Sequence, residues 1–263
     1  MNQSPIGIFD SGVGGLSVLR EIHAALPAES IDYVADSANA PWGDKPPSFV
    51  RDRGLKIARF LIDQGAKAIV IGSNTGTAGS AEALRETLTI PVIGIEPGIK
   101  PAVAATRSRV IGAIVPAAVG ESDRLASLLD RFSSDVKVVV QPVPGVVEHI
   151  EAADLDGADL RRMLEGYVRP MLDAGADTIV LGSTHYVFLK PLLRELAGPD
   201  VALIETGAAV ARRLSQVLDE RGLKAGGGEG RERFWTSGNP TTSTRVISAL
   251  LGRPVEVKKL PES

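Results

Sequence analysis

Short apolar runs alternate with longer amphipathic segments along most of the chain. The apolar runs predict buried strands over 5–10, 30–36, 66–72, 90–95, 109–115, 136–143, 176–182 and 201–205. Amphipathic helices are predicted between them, for example over 46–64 and 156–174. Strands that alternate with helices indicate parallel sheets covered on both faces. The predicted fold class is therefore α/β.

The ends of the two predicted helices carry ordinary helix signals. Asp156 is the predicted N-cap of the second helix, because a short acidic side chain can accept from the first free N–H groups. Both helices end next to a glycine, Gly65 and Gly175, which favours the left-handed conformation that follows many helices.

The chain contains an internal repeat. The segment "GAKAIVIGSNTGTA" begins at Gly65 and "GADTIVLGSTHYVF" at Gly175, and this offset of 175 − 65 = 110 pairs Ser73 with Ser183. Upstream, "IGIFDSGVGG" (6–15) aligns with "IGAIVPAAVG" (111–120) at an offset of 111 − 6 = 105. Two matched halves predict two similar parallel-sheet α/β domains related by pseudo-two-fold symmetry, with the active site in the cleft between them.

The repeat also predicts the domain boundaries. The first domain is predicted over 1–97 and is completed by 208–263, and the second covers 98–207. The return passes through the glycine-rich segment "KAGGGEGR" (224–231), which is predicted to be mobile.

Composition excludes several classes of function. The chain has no cysteine, which excludes disulfides, thiolate metal sites and thiol catalysis, and its three histidines are not at metal-ligand spacing. The net charge of −3 gives no reason to expect nucleic acid or an anionic membrane as a partner. No apolar run reaches the roughly 20 residues that span a bilayer, and no secretory signal is visible. We expect a cytoplasmic protein without metal or cofactor.

Polar side chains directly follow several predicted strands. They form three groups: 10–11, 73–75 and 183–185. Because ligands of parallel sheets bind outside the carboxyl ends of the strands, we expect a small ligand between Ser73 and Ser183. Tight turns and helix caps are the alternative explanation of such clusters. Two clusters at matched positions, with Asp10 and His185 nearby, favour the ligand site.

Other features leave alternatives open. The glycines of "FDSGVGGLSVL" (9–19) suit a dinucleotide site with Asp36 as its ribose-binding acid, but Ser17 and Asp10 count against it. His185 is either a general acid or base or a structural histidine. Trp42 covers either a ligand or only its own turn. Glu96 and Glu151 are explained equally well as acids at helix starts.

Five motifs together resemble the glutamate racemases of the cofactor-independent aspartate/glutamate racemase superfamily. They are "GIFDSGVGGLSVLREI", "YVADSANAPWGDKP", "SNTGTA", "PVIGIEPGIKPA" and "GSTHYVFLKPLL", in order over nearly the whole chain. The resemblance implies a cytoplasmic isomerase that interconverts L- and D-glutamate, supplies D-glutamate for peptidoglycan and cell shape, and often forms homodimers.

The resemblance also implies roles for individual residues. In the family, two thiols on opposite faces of the substrate remove and deliver the α-proton, and Ser73 and Ser183 hold their positions. Asp10 and His185 match the residues that assist them. The positions expected to bind substrate are Ser11, Pro41, Trp42, Gly43, Asn74, Thr75, Thr184 and Glu151.

The departures from the family pattern are concentrated at the site. Both catalytic cysteines are serine, a third frequent cysteine is Val143, the usual tyrosine is Trp42, and a Thr-x-x-Thr pair reads "PAAV" (116–119). A serine hydroxyl is a weaker acid than a thiol by about five pKa units, which corresponds to roughly 7 kcal/mol and about five orders of magnitude in rate.

Three functions are compatible with these departures. The first is a glutamate racemase whose cysteines were exchanged deliberately and whose turnover is impaired. The second is a natural relative that carries out hydrolysis, decarboxylation or elimination on a carboxylate substrate. The third is a non-catalytic amino-acid-binding protein. The motifs over nearly the whole chain favour the racemase as the predicted function.

Overall fold

The computed structural model of the chain describes residues 4–117, 123–132 and 135–261. The chain forms two compact units. Unit 1 consists of Met1–Glu96 and Gly207–Ser263, and unit 2 of Pro97–Thr206. The predicted boundaries lie one residue further along the chain. No helix among the described residues combines the length and the apolar character needed to cross a membrane.

Unit 1 is built on a parallel sheet with helices between its strands. Its strands are β1 (Ile6–Asp10), β2 (Ile31–Ala35), β3 (Ala68–Ile71), β4 (Val92–Ile93), β9 (Glu232–Thr236) and β10 (Val257–Lys259). Its helices are α1 (Leu16–Ala25), α2 (Pro47–Asp63), α3 (Asn74–Thr87), α9 (Gly207–Glu220) and α10 (Pro240–Leu251). The strand order is β10-β9-β2-β1-β3-β4. Every residue of β1, β2 and β3 is buried, which explains why these strands are continuous apolar runs in the sequence.

Unit 2 repeats this plan with a smaller sheet. Its strands are β5 (Val110–Val115), β6 (Lys137–Pro142), β7 (Thr178–Leu181) and β8 (Ala202–Ile204), in the order β6-β5-β7-β8. Its helices within the described residues are α4 (Ile99–Ala105), α5 (Asp123–Phe132), α6 (Val146–Glu151), α7 (Ala158–Asp173) and α8 (Lys190–Ala197). All pairings in both sheets are parallel.

The two sheets confirm the repeat and the predicted class of two parallel-sheet α/β domains. The order β2-β1-β3-β4 in unit 1 corresponds to β6-β5-β7-β8 in unit 2. The register corresponds as well, because Ile6 pairs with Ala68 in one sheet and Ile111 with Thr178 in the other. These pairs are related by the two sequence offsets, 6 + 105 = 111 and 68 + 110 = 178. Residues 118–120 of the predicted repeat lie outside the described residues.

The glycines after α2 and α7 end their helices as predicted. Gly65 and Gly175 have φ of 91° and 89°, in the left-handed region. After each glycine an alanine N–H reaches back to the helix, from Ala66 to Leu61 at 3.0 Å and from Ala176 to Met171 at 3.0 Å. This is the hydrogen bond of a Schellman helix end, and it occurs at the same place in both units.

The predicted N-cap of α7 is wrong. The N-cap is Gly157 and not Asp156. Asp154 supplies the carboxylate, because its Oδ1 accepts from the N–H of Gly157 at 2.9 Å. The acid that orders this helix start therefore lies two residues earlier than the pattern indicates.

The segment 224–231, predicted to be mobile, is hydrogen-bonded to the chain just before β2. The N–H of Ala225 donates to Glu29 Oε1 at 2.8 Å, and the N–H of Gly230 donates to the carbonyl of Pro27 at 3.0 Å. A Cβ at Gly230 would lie 2.0 Å from the carbonyl oxygen of Glu29. The glycine is therefore required by a close backbone contact at this position.

Candidate functional site

The first polar cluster lies at the carboxyl edge of the sheet of unit 1. Asp10 is the last residue of β1, and Ser73 follows the neighbouring strand β3. The N–H of Gly72 donates to the carbonyl of Phe9 at 2.8 Å, so the two strand ends stay joined up to the residue before Ser73. The structure therefore brings Asp10 and Ser73 to the same edge, as the sequence predicts.

The carboxylate of Asp10 is bound by its own loop. It is buried and accepts from the N–H of Ser11 at 2.6 Å, the hydroxyl of Ser11 at 3.2 Å and the N–H of Gly15 at 2.6 Å. The glycine loop thus directs these two amides at a carboxylate of the protein. A dinucleotide would need them for its pyrophosphate, so this geometry counts against the dinucleotide alternative.

Ser73 caps helix α3. Its Oγ accepts from the N–H of Gly76 at 3.0 Å, and the side chain is buried. An N–H donor and the N-terminal end of a helix both favour negative charge on that oxygen. The helix-cap interpretation is correct for Ser73 and is compatible with a role in chemistry. Asn74 and Thr75 form the first turn of α3 and are half-buried.

In the Pro41-Trp42-Gly43 turn, the two outer residues face solvent and the indole ring of Trp42 does not. Pro41 and Gly43 are exposed, whereas Trp42 is 1% exposed and packs against Phe9 with ring centroids 6.2 Å apart. Its indole N–H donates to Asp36 Oδ2 at 3.0 Å. The ring therefore covers its own turn, and a substrate contact by its side chain is not supported.

Asp36 organises this turn. It is fully buried and also accepts from Asn39 Nδ2 at 3.0 Å and from Arg53 Nε at 3.1 Å, with a second contact to the Arg53 guanidinium. Its carboxylate is thus used inside the protein, which removes the ribose-binding role. Sequence reasoning missed Arg53, because nothing in the pattern of α2 distinguishes it from the other basic residues on that helix.

The second cluster lies at the matching edge of unit 2. Ser183, Thr184 and His185 follow β7 and are 9%, 6% and 7% exposed. Ser183 Oγ lies 3.4 Å from His185 Nδ1 and accepts from the N–H of His185 at 3.3 Å. The other ring nitrogen, Nε2, lies 2.7 Å from Glu151 Oε1. Ser183, His185 and Glu151 therefore form a continuous chain of contacts within unit 2.

Glu151 fixes the state of the imidazole. A carboxylate accepts hydrogen bonds, so the proton of neutral His185 is on Nε2 and the lone pair of Nδ1 faces Ser183. This arrangement favours the acid–base alternative for His185 over a purely structural one. The helix-start explanation of Glu151 is wrong, because it is the last residue of α6. Its predicted substrate contact stays a prediction, and the pairing with His185 was not predicted.

The remaining departures are Val143 and the segment "PAAV" (116–119). Val143 is buried as an ordinary core residue. The two last positions of "PAAV", 118 and 119, lie outside the described residues. Within the described ranges, no group of three or more His, Asp or Glu side chains is placed to hold a metal ion.

Residues 6–214 match the Asp/Glu/Hydantoin racemase family. With its two parallel-sheet units and polar strand ends, the chain belongs to this family.

Its relatives are glutamate racemases. The glutamate racemase of Pseudomonas paraeruginosa is 52% identical over 258 residues, which cover 98% of this chain and 97% of that protein. The enzyme of Stutzerimonas stutzeri is 51% identical over 259 residues, 98% of both chains.

Solved structures agree. Glutamate racemase isoform RacE1 from Bacillus anthracis superposes with a TM-score of 0.88 at 31% identity, covering 99% of this chain and 98% of that one. The Escherichia coli glutamate racemase, solved with L-glutamate and the activator UDP-MurNAc-ala, gives a TM-score of 0.86 at 28% identity, covering 97% of each chain.

Proposed function

We propose that the chain is a cofactor-independent isomerase of the glutamate racemase type, which moves a proton at Cα of glutamate by a two-base mechanism. The carrying observation is the pair of matched strand-end serines, Ser73 and Ser183, each with an acid–base group at the same edge of its own sheet. The identity of about half of the residues with glutamate racemases supports glutamate as the substrate, and so does L-glutamate in the Escherichia coli structure.

The Ser183 side of the mechanism follows from the contacts of His185. When Ser183 Oγ takes the α-proton, its own hydroxyl proton passes to Nδ1 of His185. The imidazolium that forms is stabilised by Glu151, whose carboxylate is hydrogen-bonded to Nε2.

The Ser73 side is assisted differently. Ser73 Oγ receives the N–H of Gly76 at the start of α3, which favours the ionised oxygen. Asp10, at the end of the neighbouring strand, is the acid–base group proposed for this face. Ser11, Asn74, Thr75 and Thr184, with the exposed Pro41 and Gly43, are proposed to hold the substrate's carboxylates and amine.

The proposed turnover is slow. Since a serine hydroxyl is a weaker acid than a thiol by about five pKa units, the barrier is higher by roughly 7 kcal/mol before any assistance. We further propose that the D-glutamate serves peptidoglycan synthesis in the cytoplasm and that the protein is a homodimer.

The test is proton exchange. L-glutamate and D-glutamate are incubated separately in D2O, and the α-proton signal is followed by NMR together with chiral analysis. The parent chain is expected to exchange slowly. Ser183→Cys and Ser73→Cys are each expected to accelerate exchange for one enantiomer only, and the double variant to racemise both.

A matched control is Ser243→Cys, which places a thiol at a buried serine of α10 whose hydroxyl bonds to Thr236. It is expected to behave as the parent. If the double variant exchanged neither enantiomer while remaining folded, the racemase proposal would be rejected.

A further inference from the structure

The contacts of Ser183 differ from those of Ser73, and they suit a second kind of chemistry besides proton transfer at carbon. Ser183 has an imidazole nitrogen 3.4 Å from its Oγ, and the far nitrogen of that ring is held by Glu151 at 2.7 Å. A hydroxyl, an imidazole and a carboxylate in this order form the arrangement that activates serine as a nucleophile. All three residues belong to unit 2, so the chain is complete within one unit.

The surroundings of this chain favour nucleophilic attack. Ser183 and His185 are both more than nine-tenths buried, which strengthens the hydrogen bonds between them. The N–H of His185 also donates to Ser183 Oγ at 3.3 Å and helps to fix the position of the hydroxyl. The 3.4 Å contact is long, as is common for catalytic hydrogen bonds before substrate binds.

Ser73 provides a comparison within the same chain. Its Oγ is the N-cap of α3 and accepts from the N–H of Gly76. Within unit 1, His23 lies 3.0 Å from Glu232. The described contact of the Ser73 hydroxyl is therefore a backbone N–H, whereas that of the Ser183 hydroxyl is an imidazole nitrogen.

We propose that Ser183 is a nucleophile and that the Ser183–His185–Glu151 chain hydrolyses small carboxylic esters, an activity separate from proton exchange at Cα. Replacement of a thiol by a hydroxyl penalises attack on a C–H bond through the weak acidity of serine. Attack on an acyl carbon tolerates the same hydroxyl, because the imidazole removes its proton as the new bond forms.

The reaction balances with water as the second substrate. Ser183 Oγ bonds to the ester carbonyl carbon while its proton moves to His185 Nδ1. The bond from that carbon to the alkoxy oxygen then breaks, and the alcohol leaves with the proton from Nδ1. Water attacks the acyl-serine and gives one proton to Nδ1. The bond from the acyl carbon to Oγ breaks, Oγ recovers that proton, and the carboxylic acid leaves and gives its own proton to solvent.

The first experiment treats the full chain with a small alkyl fluorophosphonate and maps the modified peptide by mass spectrometry. We expect one modification, on Ser183, with Ser73 unmodified. Ser183→Ala and His185→Gln are expected to abolish the modification. Ser243→Ala, which removes a buried hydroxyl in unit 1, is expected to react as the parent does.

The second experiment measures hydrolysis of p-nitrophenyl acetate against pH. His185→Gln is expected to lower the rate by about 10²–10⁴-fold, the usual contribution of a positioned base. Glu151→Gln is expected to lower the rate less and to move the acidic limb of the pH profile, in which the rate rises as His185 loses its proton, to lower pH, because an amide stabilises the imidazolium less than a carboxylate.

Folding is checked by the thermal transition of each variant, so that a lost reaction is not confused with a lost fold. Modification of another residue in place of Ser183, or a rate of ester hydrolysis that Ser183→Ala leaves unchanged, would overturn the proposal. The proton-exchange assay reports separately on Cα chemistry, so failure of one activity is distinguishable from failure of the other.

Discussion

Asp177 shows how much a single carboxylate can organise in this fold. It lies just before β7, at the opposite end of the strand from Ser183. Its carboxylate accepts from Thr106 Oγ1 at 2.6 Å, from the N–H groups of Arg107 and Ser108 at 2.8 and 2.7 Å, and from Thr178 Oγ1 at 3.0 Å. Burial raises the pKa of Asp177, but the four hydrogen bonds together outweigh it and hold the pKa well below its usual range.

Asp177→Asn is expected to destabilise the protein at pH 7 by about 1–3 kcal/mol, because an amide group cannot accept all four donors. A lowered folded-state pKa stabilises the protein above the unfolded pKa of about 3.9, and this contribution is lost as the pH falls towards the folded value. The difference in the free energy of unfolding between parent and variant, measured with urea, should therefore become smaller below about pH 4.

Asp200→Asn is the control, since Asp200 is exposed. Its effect on unfolding is expected to stay within about 0.5 kcal/mol. A destabilisation by Asp177→Asn that kept its size down to pH 3 would show that packing, and not ionisation, is responsible.

For single residues, the sequence predicts the place of a side chain along the fold better than it predicts the side chain that it contacts. Ser73, Ser183 and Asp10 were placed at strand ends because buried apolar runs end just before them. The pairs His185 with Glu151 and Asp36 with Arg53 were not predictable, because residues 34 and 17 positions apart meet only through the tertiary fold. The two alternatives for Trp42 stayed open for the same reason, since only the fold shows that its indole N–H donates to Asp36.

At the scale of elements, the approach of α2 to α3 decides how firmly Ser73 is held. A Cβ added at Gly54 of α2 would lie 2.6 Å from the Cβ of Ser80, and one at Gly79 of α3 would lie 2.5 Å from Val50 Cγ1. These distances are shorter than side-chain atoms tolerate, so both helices depend on glycine at their contact. Helix α3 begins directly after Ser73, so the packing of α3 against α2 also fixes the position of Ser73.

Gly54→Ala is expected to lower the free energy of unfolding by about 1–3 kcal/mol, the usual cost of overpacking. Gly166→Ala is the matched control, because Gly166 lies inside α7 with no atom within 4 Å of an added Cβ. Its better helix propensity should stabilise the protein by about 0.5–1 kcal/mol. Guanidinium unfolding measures the change in the free energy of unfolding for each substitution. Changes of the same sign for Gly54→Ala and Gly166→Ala would contradict the proposed contact.

The strands were predicted more accurately than the helix ends. Continuous apolar runs gave β1, β2, β5 and β7 to within a few residues, because strands buried on both faces need apolar side chains throughout. By contrast, β4 contains only Val92 and Ile93 of the predicted 90–95. Asp156 failed as a cap because Asp154 was already bound to Gly157, a competition between near neighbours that a pattern does not resolve.

At the scale of the whole molecule, a buried ion pair links distant parts of unit 1. Glu29 Oε2 lies 2.5 Å from Lys67 Nζ, and the two side chains are 2% and 4% exposed. The two atoms lie within hydrogen-bonding distance, so the two buried charges compensate each other. The second oxygen of Glu29, Oε1, accepts from the N–H of Ala225. Glu29 therefore also binds the segment that precedes β9.

Lys67→Met is expected to destabilise the protein by about 3–5 kcal/mol, because it leaves a buried carboxylate without its cation. The double variant Glu29→Gln/Lys67→Met should recover a large part of that loss, since no buried charge remains. Thermal unfolding of the parent, both single variants and the double variant forms a complete cycle. Strictly additive losses would show that the pair is not coupled.

The strand order of unit 1 has a consequence for biosynthesis. β9 lies between β2 and β10, so the sheet combines strands from the two separate segments of unit 1. On the ribosome, the strands of unit 2 are all translated once Ile204 is joined, whereas β9, which pairs with β2, ends at Thr236, 236 − 204 = 32 residues later. Until β9 is translated, the edge of β2 that it covers lacks this partner, and an unpaired strand edge is open to pairing with another chain.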